Sequence, residues 1–366
     1  MQITDANLQL MFNTFSLAFQ GAYMKPPALF YDKFATVVPS STTLQTYAWV
    51  GKLPTMRQWV GERFLANLKS YSYQLTNLDY ELTDELDRNT ILDDQYGLFS
   101  SVNIPMLANA AAKQPDYLIR DLLRAGQTTP TFDGANFFDT VHPVDKFPGS
   151  QGASLAVQQN YWAAGKPLTL ENFASVQQSM MGFLGEDGQP LGINPNLLVV
   201  PPQLAQVGRM ICQAQMVAPN VIGAQTNVGS MSNVYNSTLD GGPIQLLVVP
   251  ELTADPNVWY LMDTSKAIKP FIFQLRQPPV FSALTRPEDP NVFFRKKFVY
   301  GVDMRCAAGI SLWFLAAKAS ALWPSRGNGF VSRAAVFSPT KSARQALRAG
   351  SAGSSIPTAT SSSATR

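Results

Sequence analysis

Apolar residues at helical spacing open the chain. Leu8, Met11, Phe12, Phe15, Leu17 and Phe19 fall near i, i+3, i+4 and i+7, which predicts an amphipathic helix from Asp5 to Tyr23 with Asp5 as its N-cap. Pro26 and Pro27 stop it. Such a helix serves either in the core or as an arm laid on a neighbouring subunit. Over residues 31–90 the period shortens. Aromatic and β-branched residues alternate with polar ones at 46–50 and again at 71–75, the pattern of half-buried or two-sided strands. The turn-rich stretch 51–57 between them predicts a protruding hairpin. An isolated two-stranded ribbon is marginal in water, so one that leaves its own core needs apolar cover from another chain.

Helical character returns over residues 90–126. Asp93 and Asp94 sit where negative charge suits a helix N-terminus, and residues 106–112 strongly favour helix. Pro105 predicts a kink or a shortened first segment, Pro115 and Asp116 open a second, and Gly126 ends it. Residues 126–167 read as loop, 171–183 as helix and 185–190 as turn. The run Leu197-Leu198-Val199-Val200 predicts a buried strand entering Pro201-Pro202, then helix to about residue 215; the same strand-to-proline pattern returns at 246–250. Strands at 258–262, 268–275, 293–300 and 305–314 complete an α+β chain. Beyond Trp323-Pro324 the sequence fills with Ser, Ala, Gly, Thr and Arg, a composition expected to stay disordered.

Composition sharpens this picture at two points. Of the 366 residues 46% are hydrophobic, enough for roughly two domains, yet only 14% are charged against ~25% in an ordinary globular chain. A chain so poor in charge hides much of its surface in partners. The formal charge of +3 is also unevenly spread: residues 325–366 hold six basic side chains and no acidic one, leaving −3 on residues 1–324. A mildly acidic body with a basic tail argues against a nucleic-acid-binding fold. Two distant cysteines, Cys212 and Cys306, exclude a disulfide framework and a zinc motif. The opening MQITDANLQL carries no secretory signal, and no run approaches the ~18 apolar residues of a membrane span. A soluble protein made in a reducing cytoplasm is expected.

Candidate chemistry is sparse. The one histidine, His142, has Asp139 and Asp145 nearby; it reads as a metal ligand or base, or more plainly as a loop histidine with a local hydrogen bond. No G-x-S-x-G elbow occurs. Gly165-Lys166 fails as a phosphate loop because Asn160 and Pro167 stand where Gly and Ser or Thr are required. Cys212 has a helical setting that reads as packing, and the adjacent carboxylates Asp84-Glu85 and Asp93-Asp94 suit a solvated helix start. Arg295-Lys296-Lys297, bracketed by Phe293, Phe294 and Phe298, reads as a strand with inward aromatics and outward cations. No catalytic, cofactor or metal residue is expected.

Four stretches carry a resemblance. Residues 133–143 (DGANFFDTVHP), 192–202 (GINPNLLVVPP), 259–274 (WYLMDTSKAIKPFIFQ) and 298–305 (FVYGVDMR), with Gly309 and Trp313, are similar to the Mu-like prophage major head subunit family. Likeness is strongest over residues 90–318, looser over 1–90, and absent from the tail. The resemblance implies the α+β Hong Kong 97-type phage capsid fold. It maps residues 1–45 to an N-terminal arm, 46–78 to an extended hairpin loop and 79–189 to a peripheral domain with a spine helix. Residues 190–257 become an axial domain, 258–324 the strands that return to the peripheral domain, and 325–366 a basic tail.

The resemblance further implies a virion shell built from pentamers and hexamers of the chain itself, assembled in the host cytoplasm. Scaffold, portal and decoration proteins are expected partners, with packaged double-stranded DNA held non-specifically, no cofactor and no membrane. Trp49, Leu53, Met56, Trp59 and Phe64 are the expected inter-subunit contacts. An encapsulin-like nanocompartment shell and a metal-dependent hydrolase around His142 are the alternatives.

Overall fold

In the computed structural model, which describes residues 5–50, 70–93, 102–144, 156–185, 189–217, 231–236 and 243–321, the N-terminal apolar stripe forms α1 (Asp5–Tyr23). Its Phe15 and Phe19 are buried within the chain's own body, so α1 is a core helix here. A single turn α2 (Tyr31–Phe34) leads into β1 (Ala35–Pro39). The alternating segments form β2 (Leu44–Val50), β3 (Ser70–Thr76) and β4 (Leu78–Asp87), followed by the short α3 (Arg88–Leu92).

The long helix is α4 (Ile104–Ala125), and it is continuous. Pro105 lies in its first turn, where a missing N–H costs nothing, so the expected kink does not arise. Pro115 sits in the interior and does not open a second segment. Its ring removes one helical hydrogen bond, yet the buried stripe Ile104, Leu107, Ala108, Ala111, Pro115, Ile119 and Leu123 runs straight through it. The N-terminal half of that stripe packs with Phe15 and Phe19 against Phe298, Tyr300 and Val302; the C-terminal half joins a second core with Phe137, Phe138 and Tyr260. Asp116, the next residue, accepts the backbone N–H groups of Phe30 (3.1 Å) and Tyr31 (2.9 Å), fixing the entry to α2.

Short strands β5 (His142–Val144), β6 (Ala156–Gln158) and β7 (Tyr161–Trp162) punctuate the loop region before α5 (Leu170–Met181). The Thr169 side chain caps α5 by accepting from the N–H of Asn172. Then come β8 (Leu197–Val200), α6 (Ala205–Cys212), β9 (Met216–Val217), β10 (Met231–Ser232), β11 (Gln245–Val248) and β12 (Val258–Met262). The chain continues through β13 (Phe271–Leu284), α7 (Pro290–Arg295), β14 (Lys297–Ile310) and β15 (Ala316–Ser320).

Two main sheets form. One has the order β1-β13-β14-β4, with β1 parallel to β13 and the rest antiparallel. The other has the order β11-β8-β12-β15-β7. Its strand-to-proline repeat is visible as a parallel pair, Leu197↔Gln245 through Val200↔Val248, and each strand exits into a 3-10 turn begun by Pro202 or Pro250. Gly208 of α6 faces β11 so closely that a Cβ there would lie 2.7 Å from Leu246 Cδ1.

Residues 258–324 supply strands to both main sheets: β13 and β14 join the four-stranded sheet, and β12 and β15 pair with each other beside β8. Some local expectations need correction. Residues 293–295 are helical because Asp289 and Pro290 start a turn that Lys296, at φ 56°, ends. Asp84 and Glu85 lie in mid-strand on β4, and Asp93 directly follows the end of α3. The basic tail 325–366 falls outside the described residues.

Candidate assembly surface

β2 and β3 pair with each other alone among the described strands, in the register Leu44↔Thr76 through Val50↔Ser70. Alternation of Tyr and Trp with Thr, Ser and Gln produces this ribbon, since both of its faces must serve. At its root a chain of buried amides holds it. The Tyr47 hydroxyl donates to Gln274 Oε1 (2.8 Å), Gln274 Nε2 donates to Asn77 Oδ1 (2.6 Å), and Asn77 Nδ2 donates to the Thr42 carbonyl (2.8 Å) and Ser40 Oγ (3.0 Å). Gln274 is 0% and Asn77 4% exposed, so these bonds satisfy groups that water cannot reach. Beside them Gly309 on β14 supports the ribbon: a Cβ there would lie 3.0 Å from Tyr73 Cε1 and 3.2 Å from Leu75 Cδ1.

Of the five expected contact residues, Trp49 is on β2, opposite Tyr71 in the register. Leu53, Met56, Trp59 and Phe64 lie outside the described residues. Sequence reading missed Gln274 and Asn77, which are isolated polar residues with partners about 200 positions away.

His142 is fully buried. Nδ1 lies 2.7 Å from Asp133 Oδ2, Nε2 lies 3.1 Å from Asn160 Oδ1, and the ring stacks on Trp313 at 3.9 Å between centroids. Asn160 Nδ2 in turn donates to the carbonyls of Phe137, Trp313 and Ala316. This network pins the loop before β5 to β15. The carboxylate hydrogen-bonded to the histidine is Asp133 and not Asp139. Burial alone would raise the Asp139 carboxyl pKa, but N–H groups of Asn136, Thr140 and Val141, with His142 nearby, outweigh that and hold it below its ordinary value. Among the described residues no three His, Cys, Asp or Glu side chains gather as metal ligands. Cys212 and Cys306 are buried, which pushes each thiol up to about 12, far from a reactive thiolate.

The basic run divides. Phe298 is buried on β14, but Phe293 and Phe294 on α7 are 72% and 79% exposed, contrary to the expectation that all three point inward. Lys297 pairs with Glu85, while Arg295 and Lys296 have no ion-pair partner among the described residues.

A family model for the Mu-like prophage major head subunit gpT matches residues 8–158, 149–240 and 237–325. The chain belongs to this family. It is 28% identical over 316 residues to the major capsid protein of Escherichia phage Mu, covering 86% of this chain and 74% of the relative. It is 27% identical over 314 residues to the Mu-like prophage FluMu major head subunit of Haemophilus influenzae, covering 86% and 73%. Among solved structures, a chain of the procapsid of bacteriophage JBD30 aligns with TM-score 0.52 and 27% identity, over 87% of this chain and 77% of that one. As a gpT-family head subunit the chain is a capsid protein of a Mu-like tailed phage with the α+β Hong Kong 97-type fold, a component of the virion shell and not an enzyme. The family membership sets aside the nanocompartment and hydrolase alternatives.

Proposed function

We propose that copies of this chain close into pentamers and hexamers, and that these tile an icosahedral shell around packaged double-stranded DNA. The ribbon β2–β3 carries the proposal. It is anchored at its root by buried amides, and no third strand among the described residues covers its edges. Open strand edges and aromatic faces are what a neighbouring copy can cover. Repetition around a ring then turns modest pairwise contacts into a stable assembly.

In this reading the four-stranded sheet with α4 is the peripheral domain and the five-stranded sheet the axial domain. Residues 46–78 are the extended loop, and Trp49, Leu53, Met56, Trp59 and Phe64 are its inter-subunit contacts. Assembly takes place in the host cytoplasm with scaffold, portal and decoration proteins as partners; DNA is enclosed without sequence-specific contact.

Electron microscopy of the overexpressed, purified chain tests this. Rings of five and six, or closed shells, are the expected particles. A protein that sediments as a monomer at every concentration overturns the reading. Replacing residues 46–74 with a short turn should leave a folded subunit that no longer assembles.

A further inference from the structure

Outside the ribbon, the four-stranded sheet carries two exposed apolar features. At the tip of the β13–β14 hairpin, α7 presents Phe293 and Phe294, their rings packed edge-to-face at 5.0 Å and both turned to solvent. Exposed Arg295 and Lys296 follow directly, and no ion pair among the described residues engages either. The second feature is β4, an edge strand. Leu78 and Leu82 are 56% and 41% exposed on it. The register opposite Cys306, Val302 and Tyr300 puts Leu78, Leu82 and Asp84 on one face. Asp79 and Glu85 pair with Arg305 and Lys297 of the same chain, whereas Glu81 and Asp84 have no cation beside them among the described residues.

We infer that α7 of one copy docks on the β4 edge of a second copy. Phe293 and Phe294 cover Leu78 and Leu82, Arg295 meets Asp84 on the same face, and Lys296 reaches around the open edge to Glu81 on the other. The two surfaces match in both respects, apolar pair to apolar pair and cation to carboxylate. A copy does not bring its own phenylalanines onto these leucines. Its own α7 borders the far end of β4, where Lys297 pairs with Asp87; Leu82 lies five residues further along the strand, about 17 Å away at ~3.4 Å per residue, and Leu78 lies beyond it. Acidic side chains on an edge strand also deter edge-to-edge aggregation, but that does not account for two exposed leucines on the same strand. A contact between unlike surfaces of identical chains is heterologous, the type that propagates around a ring or across a lattice.

The docking rests on the self-association proposed above, and the experiment separates the two. The double variant Phe293→Ser, Phe294→Ser should keep the wild-type melting midpoint, because both side chains are already exposed. Its concentration for half-assembly should rise about tenfold or more, the scale of losing an aromatic anchor at an interface. In a second arm, copies carrying Phe294→Cys are mixed with copies carrying Leu82→Cys and mildly oxidised; the native Cys212 and Cys306 are buried and stay out of the reaction. Disulfide-linked pairs of the two variants are expected. Wild-type-like assembly of the serine variant, or assembled particles without that crosslink, overturns the docking alone. A wild-type chain that never assembles overturns the self-association beneath it.

Discussion

The hydroxyl of Tyr47 on the ribbon donates to the side-chain oxygen of Gln274 on β13, joining residues 227 positions apart. Through that bond and the Gln274–Asn77 bond behind it, the sheet fixes where the ribbon begins. Gln274→Leu keeps the size of the side chain but leaves Asn77 Oδ1 without its buried donor. A loss of about 1–3 kcal/mol is expected, read as a lower urea midpoint. Limited proteolysis should also cut the ribbon faster, since its root is looser.

His142→Ala removes the partner of Asp133 and opens a space against Trp313. The expected cost is about 2–4 kcal/mol of unfolding free energy. Zinc or a chelator should shift the wild-type midpoint by nothing measurable. A metal-dependent midpoint would contradict the structural role given to this network.

Asp116 gives the stability a pH dependence. Burial raises its carboxyl pKa from 3.8 to about 6, only partly opposed by the N–H groups of Tyr31 and Phe30. The folded chain therefore binds this proton more tightly than the unfolded chain. Between pH 4 and 6 the unfolded state has already released it, so the group's contribution to stability falls as pH rises through that window. Asp116→Asn should erase the dependence. Its stability relative to wild type should improve by about 1–3 kcal/mol between pH 4 and pH 7, measured by denaturant unfolding at each pH.

Lys318 works in the opposite sense. It is 6% exposed on β15, with its ammonium 5.6–5.9 Å from the ring centres of Phe138, Tyr161 and Tyr260. Burial lowers its pKa to about 8. The unfolded chain holds the proton up to about 10.5, so stability from this group rises between pH 8 and 10. Lys318→Met should stabilise the chain at pH 7, and the advantage should shrink by pH 10. An advantage that stays constant with pH would show that the lysine holds its proton as tightly in the folded chain as in the unfolded one.

Local patterns were readable where local energetics decide. α1 and β12 follow from apolar spacing, and β8 from four consecutive branched residues that are all buried. Pro115 misled because the cost of one lost hydrogen bond is smaller than the gain from a stripe packing on two cores. Adjacent Phe293 and Phe294 looked like strand, although Asp289-Pro290 before them was an available helix-start signal. The amide network was not legible at all. Gln274, Asn77 and Tyr47 gain their roles only when distant segments meet, and nothing in their neighbours marks them.

The parallel pairing of β1 with β13 sets an order of events during synthesis. Residues 35–39 leave the ribosome long before residues 271–284 exist to pair with them, and β4 waits for β14 in the same way. Long-range pairing of this kind is slow, and a chain interrupted before the late hairpin cannot build the sheet. Incomplete translation products thus lack the surface that supports the ribbon.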